Sequence, residues 1–271
     1  MKRVLAADWF ELRKLKSTIL FPVIAVAMGL FLPLMYYGTV IAMRQISDLP
    51  GMDPHSLASM KMLMDSFDAK TVFYSCLPLS QGFGMIIVAM IGFRAVRPFG
   101  TGMYRNKVIT QIPRSAIYAS QSLICLLITL ICAALFTATS ALTTRLTFGP
   151  LELTTHAVWV VVLLSLGIYL VYTAIPVFVA FLTRSVPLTI IIAILLPVLA
   201  QTTFTLAASA LSSVSETVAD LLTILPAVQT TDLSKAALPD KLIVIALASD
   251  TAISALLTLF GILRFKRMDL K

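Results

Sequence analysis

Few residues in this sequence are of a type and spacing that could do chemistry. Gly100-Thr101-Gly102 followed by Lys107 faintly echoes a phosphate-binding loop. No Gly-Lys-Ser/Thr is present, however, and no strand-like segment precedes it, so the chain is not expected to hydrolyse nucleotide. His55 and His156 stand alone, without a His or Glu partner at metal-ligand spacing. Cys76, Cys125 and Cys132 are odd in number and lack metal spacing; they read as small buried apolar residues rather than a disulfide framework or a zinc site. No catalytic residue, metal ligand or bound cofactor is expected.

What remains is polarity inside apolar runs. Asp250 is the one acid there, and it would be costly facing lipid. It either coordinates an ion or substrate in a polar cavity or hydrogen-bonds a neighbouring helix, and the structural role is preferred. Thr129, Thr137, Thr139 and Ser140, then Thr202, Thr203, Thr205 and Ser209, carry hydroxyls of the kind that bond their own backbone or cement helix pairs. Gln201 differs, because its amide needs partners that the backbone cannot fully supply. With Thr202 and Thr205 beside it, Gln201 marks a helix seam or a permeation path.

The charged counterpart is Arg94 to Ser115, RAVRPFGTGMYRNKVITQIPRS. It holds Arg94, Arg97, Arg105, Lys107 and Arg114, no acid, and apolar runs flank it on both sides. An arginine or lysine at a membrane helix centre costs about 2.5–3.5 kcal/mol, so residues 94–114 are expected to form a loop at a membrane face.

The elements that position these residues follow from composition and run length. The chain has 271 residues, 59% hydrophobic and 13% charged, and a mean hydropathy of +0.95. Soluble domains are about a quarter charged, so the class is all-α integral membrane protein. The net charge of +8 does not point to nucleic acid, because the cations flank apolar runs and are explained by orientation and lipid headgroups.

Six spans are expected, near 17–43, 71–93, 115–142, 156–182, 187–211 and 242–263, each able to cross about 30 Å of hydrocarbon. Residues 1–16 lack the order of a signal peptide. Val4, Leu5, Trp9, Leu12 and Leu15 share one helical arc, which predicts a short interfacial helix with Trp9, Arg13 and Lys14 as anchors; a merely basic, solvated leader is the other reading. Asp8 falls inside the apolar arc and Phe10 outside it. Residues 44–70 read as an outer loop, 145–152 as an outer turn and Thr183–Pro187 as a tight inner turn. Within 212–241, LLTILPAV (Leu221 to Val228) is too apolar for an ordinary loop and too short to cross, which predicts a half-inserted outer hairpin. On this topology fifteen of the 21 cations lie inside with only three of the 13 acids, so both termini are expected to be cytoplasmic.

With these residues in view, the chain resembles the type-2 ABC exporter permeases, the six-helix membrane subunits that pair with a separate ATPase. The likeness runs the length of the chain. DWFELRKLKSTI (Asp8–Ile19) resembles the family's amphipathic elbow, and GTGMYRNKVITQIPRSAIYASQ (Gly100–Gln121) resembles its inner segment. The half-apolar outer segment before the last span and the basic tail match too. The chain departs from the family at Arg97-Pro98, where an acid often precedes the Gly-Thr pair, and at Gln121, where a lysine often stands.

The resemblance implies a coupling helix within 94–114 that docks on the ATPase. Pro98, Gly100, Thr101 and Gly102 would shape the turn into it. Tyr104, Arg105, Asn106 and Lys107 would supply surface contacts, and Arg114 would begin the next span. It further implies a bacterial plasma membrane location, a second permease copy, ATP and magnesium on the partner, and export of a small amphipathic peptide, antibiotic or lipid-like compound. The structural alternative for 94–114 is a loop that only sets topology. The functional alternatives are a non-transporting sensor or immunity protein, or a secondary transporter; the latter would show inverted repeats and more intramembrane charge than Asp250.

Overall fold

The computed structural model of the chain describes residues 2–14, 16–47, 53–77, 83–152, 155–212 and 240–268. Among these residues all regular structure is α-helical. The helices are α1 (Lys2–Lys14), α2 (Lys16–Ser47), α3 (Pro54–Asp65), α4 (Ala69–Cys76), α5 (Phe83–Gly100), α6 (Met103–Ile109), α7 (Arg114–Phe148), α8 (Thr155–Thr183), α9 (Val186–Ser212) and α10 (Asp240–Lys266). Five stretches are each long and apolar enough to cross a membrane: Ile19–Ser47, Arg114–Phe148, Val158–Thr183, Val186–Phe204 and Ile243–Lys266. A sixth is reached only if α5 and α6, bent from each other by 57°, count as one. That is the architecture of an all-helical multi-pass membrane protein. Large apolar side chains such as Phe31, Leu199, Val244 and Leu259 lie on its outer surface, as a hydrocarbon solvent permits.

The helix α7 is the spine, packing against α1, α2, α4, α5, α8 and α10. Its contact with α2 is close because Gly29 has no side chain: a Cβ there would lie 1.9 Å from Thr139 Oγ1. Ser140 Oγ donates to the Gly29 carbonyl at 3.3 Å, adding a polar bond between the same two helices. Between α7 and α8, Thr173 Oγ1 donates to Thr129 Oγ1 at 2.9 Å. Thr129 and Thr139 also bond their own helix at Cys125 and Leu135. All three cysteines are buried free thiols.

Local chemistry explains several boundaries. Asp68 caps α4 by accepting from the Thr71 N–H at 2.7 Å, a bond that helps hold its carboxyl below the ordinary value of 3.8. Gly149, at φ +103°, stops α7. Arg184, at φ +56°, forms with Ser185 the short connection from α8 to α9.

Several expectations need correction. The segment 94–114 is mostly helix, since α5 runs on to Gly100 and α6 and α7 take up the rest except 101–102 and 110–113. The continuation past Pro98 has a physical basis. Pro98 lacks the N–H that would bond the Arg94 carbonyl, and Gln121 Nε2 donates to that carbonyl instead over a long 3.5 Å. Arg94 itself is 3% exposed, so its charge is taken into the protein rather than left at a face. The expected single span over 71–93 is divided between α4 and α5, with 78–82 outside the described residues. The segment 44–70, expected as an outer loop, holds α3, and α7 extends through the first half of the predicted turn 145–152. The predicted outer hairpin at 212–241 lies almost wholly outside the described residues.

Candidate functional site

Aromatic and charged side chains from several helices converge on α6. Gly102, at φ +68°, makes the left-handed turn from α5 into it, a conformation that glycine adopts without steric cost. Two residues later Tyr104 is 1% exposed. Its ring sits 4.7 Å from Phe99 of α5, 5.2 Å from Phe181 of α8 and 5.9 Å from Phe265 of α10, centroid to centroid. Tyr118 of α7 joins the cluster 4.6 Å from Phe181. Room for Tyr118 comes from Gly261, where a Cβ would lie 2.1 Å from the phenol oxygen. Tyr104 Oη donates to the Ala95 carbonyl at 3.2 Å, so the buried hydroxyl is satisfied.

The second anchor is electrostatic. Lys107 Nζ pairs with Asp8 Oδ1 of α1, and Ser120 Oγ of α7 donates to Asp8 Oδ2 at 2.6 Å. Asp8 is 2% exposed. Its place inside the apolar arc of α1 is thereby explained, because that arc faces protein carrying a lysine and a serine at this one point.

The third anchor is Arg114 at the start of α7. Its Nη1 lies within hydrogen-bonding distance of the carbonyls of Phe265 (3.2 Å), Lys266 (2.9 Å) and Met268 (2.5 Å), at and just beyond the end of α10. Tyr104, Lys107 and Arg114 therefore tie the α6 region to α1, α5, α7, α8 and α10 together.

This differs from the expected role of Tyr104 and Lys107 as surface contacts. Both point inward, since a seven-residue helix can be held only by side chains that reach into the bundle. The outward face consists of Arg105, Asn106 and Ile109, with Arg97 and Thr101 exposed beside it. Ile109 is 69% exposed; sequence reasoning missed it, although an isoleucine two residues after Lys107 in a polar segment was a visible signal. A cleft of about 230 Å³ opens next to this face, lined by Pro98, Phe99, Gly100, Gly102, Tyr104, Arg105 and Arg184.

The remaining predicted residues lie elsewhere. Trp9 is 39% exposed on α1, and the side chains of Arg13 and Lys14 are outside the described residues. Gln201 lines a small recess with Met85 and Val88 of α5 and Tyr172 of α8. Thr202 is exposed and donates to its own helix at Val198, 2.9 Å away; the side chain of Thr205 is outside the described residues. Asp250 is fully buried, packed where Gly167 of α8 leaves space: a Cβ on Gly167 would lie 2.4 Å from its Oδ2. Gln201 and Asp250 thus sit against different faces of α8 and its neighbours. No group of three metal-ligating side chains occurs among the described residues.

The arrangement around α6 can transmit a displacement. A load applied to its outward face reaches several long helices through packed rings and an ion pair rather than through a slack loop. Comparison with protein-family models, with curated proteins and with solved structures finds no match to this chain.

Proposed function

We propose that this chain is the permease subunit of an ATP-driven exporter of the type-2 ABC class. In this reading it sits in the bacterial plasma membrane with both termini on the ATP side and works with a second permease copy. A separate ATPase subunit holds ATP and magnesium and docks on the outward face of α6. The exported compound is a small amphipathic molecule: a peptide, an antibiotic or a lipid-like substance.

The observation that carries the proposal is the form of α6. It is a short helix clamped on its inner side by Tyr104 and Lys107 and presenting Arg105, Asn106 and Ile109 outward. A loop that only sets topology has no need of such clamping, whereas a lever does. The exposed apolar Ile109 on one face with Arg105 and Asn106 has the composition of a docking contact.

The test is co-reconstitution with the cognate ATPase. Arg105→Glu leaves insertion and folding unchanged and removes ATP-driven transport and substrate-stimulated hydrolysis. Transport unchanged by Arg105→Glu would overturn the assignment.

A further inference from the structure

A groove runs between α1 and the early turns of α7. Leu5, Ala6 and Trp9 form one wall, and Leu123, Ile124 and Leu127 the other. Its volume is about 300 Å³. Every lining side chain is apolar apart from the indole N–H of Trp9.

The groove has a direction. Next to it Asp8 joins Ser120 and Lys107, a polar level. From Ser120, Leu123 lies about one turn and Leu127 about two turns further along α7, roughly 10 Å at 1.5 Å per residue. A polar mouth therefore leads into an apolar channel that follows α7 along its membrane-crossing stretch.

The mouth is also cationic in sequence. Lys2, Arg3, Arg13 and Lys14 belong to α1, and Lys16 follows, against Asp8 and Glu11 alone. Asp8 is already engaged by Lys107. Steps of three and four residues run through Lys2, Ala6, Trp9 and Arg13, so these two cations share the helical register of the groove wall.

We propose that this groove is a binding site for an anionic phospholipid, one acyl chain lying between α1 and α7 and the phosphate attracted by the net positive charge of α1. Charge selects the occupant. A headgroup of net negative charge gains from a basic segment at the membrane surface, whereas a zwitterionic one does not. Shape selects the chain, because a helix with its side chains is about 10–12 Å across and does not fit a furrow of this size. The inference requires a membrane location and does not depend on coupling to an ATPase.

The chain supplies its own probe, since Trp9 and Trp159 are its two tryptophans. Full-length Trp159→Phe protein is placed in phosphatidylcholine vesicles containing a minor fraction of phosphatidylglycerol brominated on its acyl chains. The control carries the same fraction of brominated phosphatidylcholine. Brominated phosphatidylglycerol is expected to reach half-quenching of Trp9 at about fivefold lower mole fraction, the factor given by about 1 kcal/mol, one lysine–phosphate attraction. Ala6→Leu, at an exposed position on the groove wall, is expected to remove that preference, and so is Leu123→Gln. Equal quenching by the two lipids would overturn the proposal. A preference that survives both substitutions would overturn it as well, by placing the lipid on the basic surface of α1 and not in the groove.

Discussion

Asp8 of α1 and Lys107 of α6 form a buried ion pair between residues 99 positions apart, and Ser120 of α7 completes it from the other carboxylate oxygen. The pair fastens the amino-terminal helix to the short helix on which the functional reading rests. Asp8 is nearly inaccessible and Lys107 is 13% exposed, so removing one partner strands the other in a poorly solvated place. Asp8→Ala is expected to destabilise by about 3 kcal/mol, while the double variant Asp8→Leu/Lys107→Met recovers most of the loss. Thermal unfolding in detergent checks the order; a double variant no more stable than Asp8→Ala would show that the pair is not the cause.

Tyr104 and Ile109 lie on opposite sides of α6, one 1% and the other 69% exposed. Tyr104→Ala is expected to cost about 3–5 kcal/mol by opening a cavity among Phe99, Phe181 and Phe265. Tyr104→Phe is expected to cost about 1 kcal/mol through its hydrogen bond to Ala95. Ile109→Ala should leave the unfolding temperature unchanged and, on the proposed function, weaken association with an ATPase partner. A large stability loss from Ile109→Ala would show that its side chain is covered within the chain.

Gly167 and Asp250 test the contact of α8 with α10. A methyl group at 167 would meet Asp250 Oδ2 at 2.4 Å and Leu247 Cδ2 at 3.1 Å. Gly167→Ala is therefore expected to destabilise by about 1–3 kcal/mol despite the better helix propensity of alanine. Gly38→Ala, with nothing within 4 Å of the added carbon, is the control and should be neutral or mildly stabilising. Equal effects of the two would refute the close approach.

Asp68 supplies a pH dependence outside the membrane-crossing stretches. Its carboxyl is held below 3.8, first by the Thr71 side chain and then by the Thr71 N–H, against a desolvation effect that raises it. A carboxyl depressed in the folded state contributes stability that is present above 3.8 and lost as pH falls through the lowered value. Protection of the α4 amides against hydrogen exchange is thus expected to fall below pH 3.8. Asp68→Ala should abolish that acid limb and cost about 1 kcal/mol at neutral pH. An acid limb that persists in the variant would assign it to another group.

Much of the architecture follows from run length and charge, because the solvent dictates both: an uncharged apolar stretch of twenty or so residues has few alternatives to a helix in hydrocarbon. Helicity, the apolar stretches at α2, α7, α8, α9 and α10, and the helical character of the amino-terminal segment were all legible in that way. The basic stretch around Arg105 was visible as a special place, although its form was not.

Only the tertiary structure decided which side chains of α6 point inward, that α5 persists beyond Pro98, and that Arg94 is enclosed. Each depends on a partner far away in sequence: Tyr104 on Phe181 and Phe265, and the Arg94 carbonyl on Gln121. Asp8 makes the same point, standing out in the sequence as a flaw in an apolar arc and resolved by Lys107 and Ser120. Periodicity describes one helix against an averaged solvent. A buried charge is stabilised by particular atoms, and only the packing of separate helices brings those atoms together.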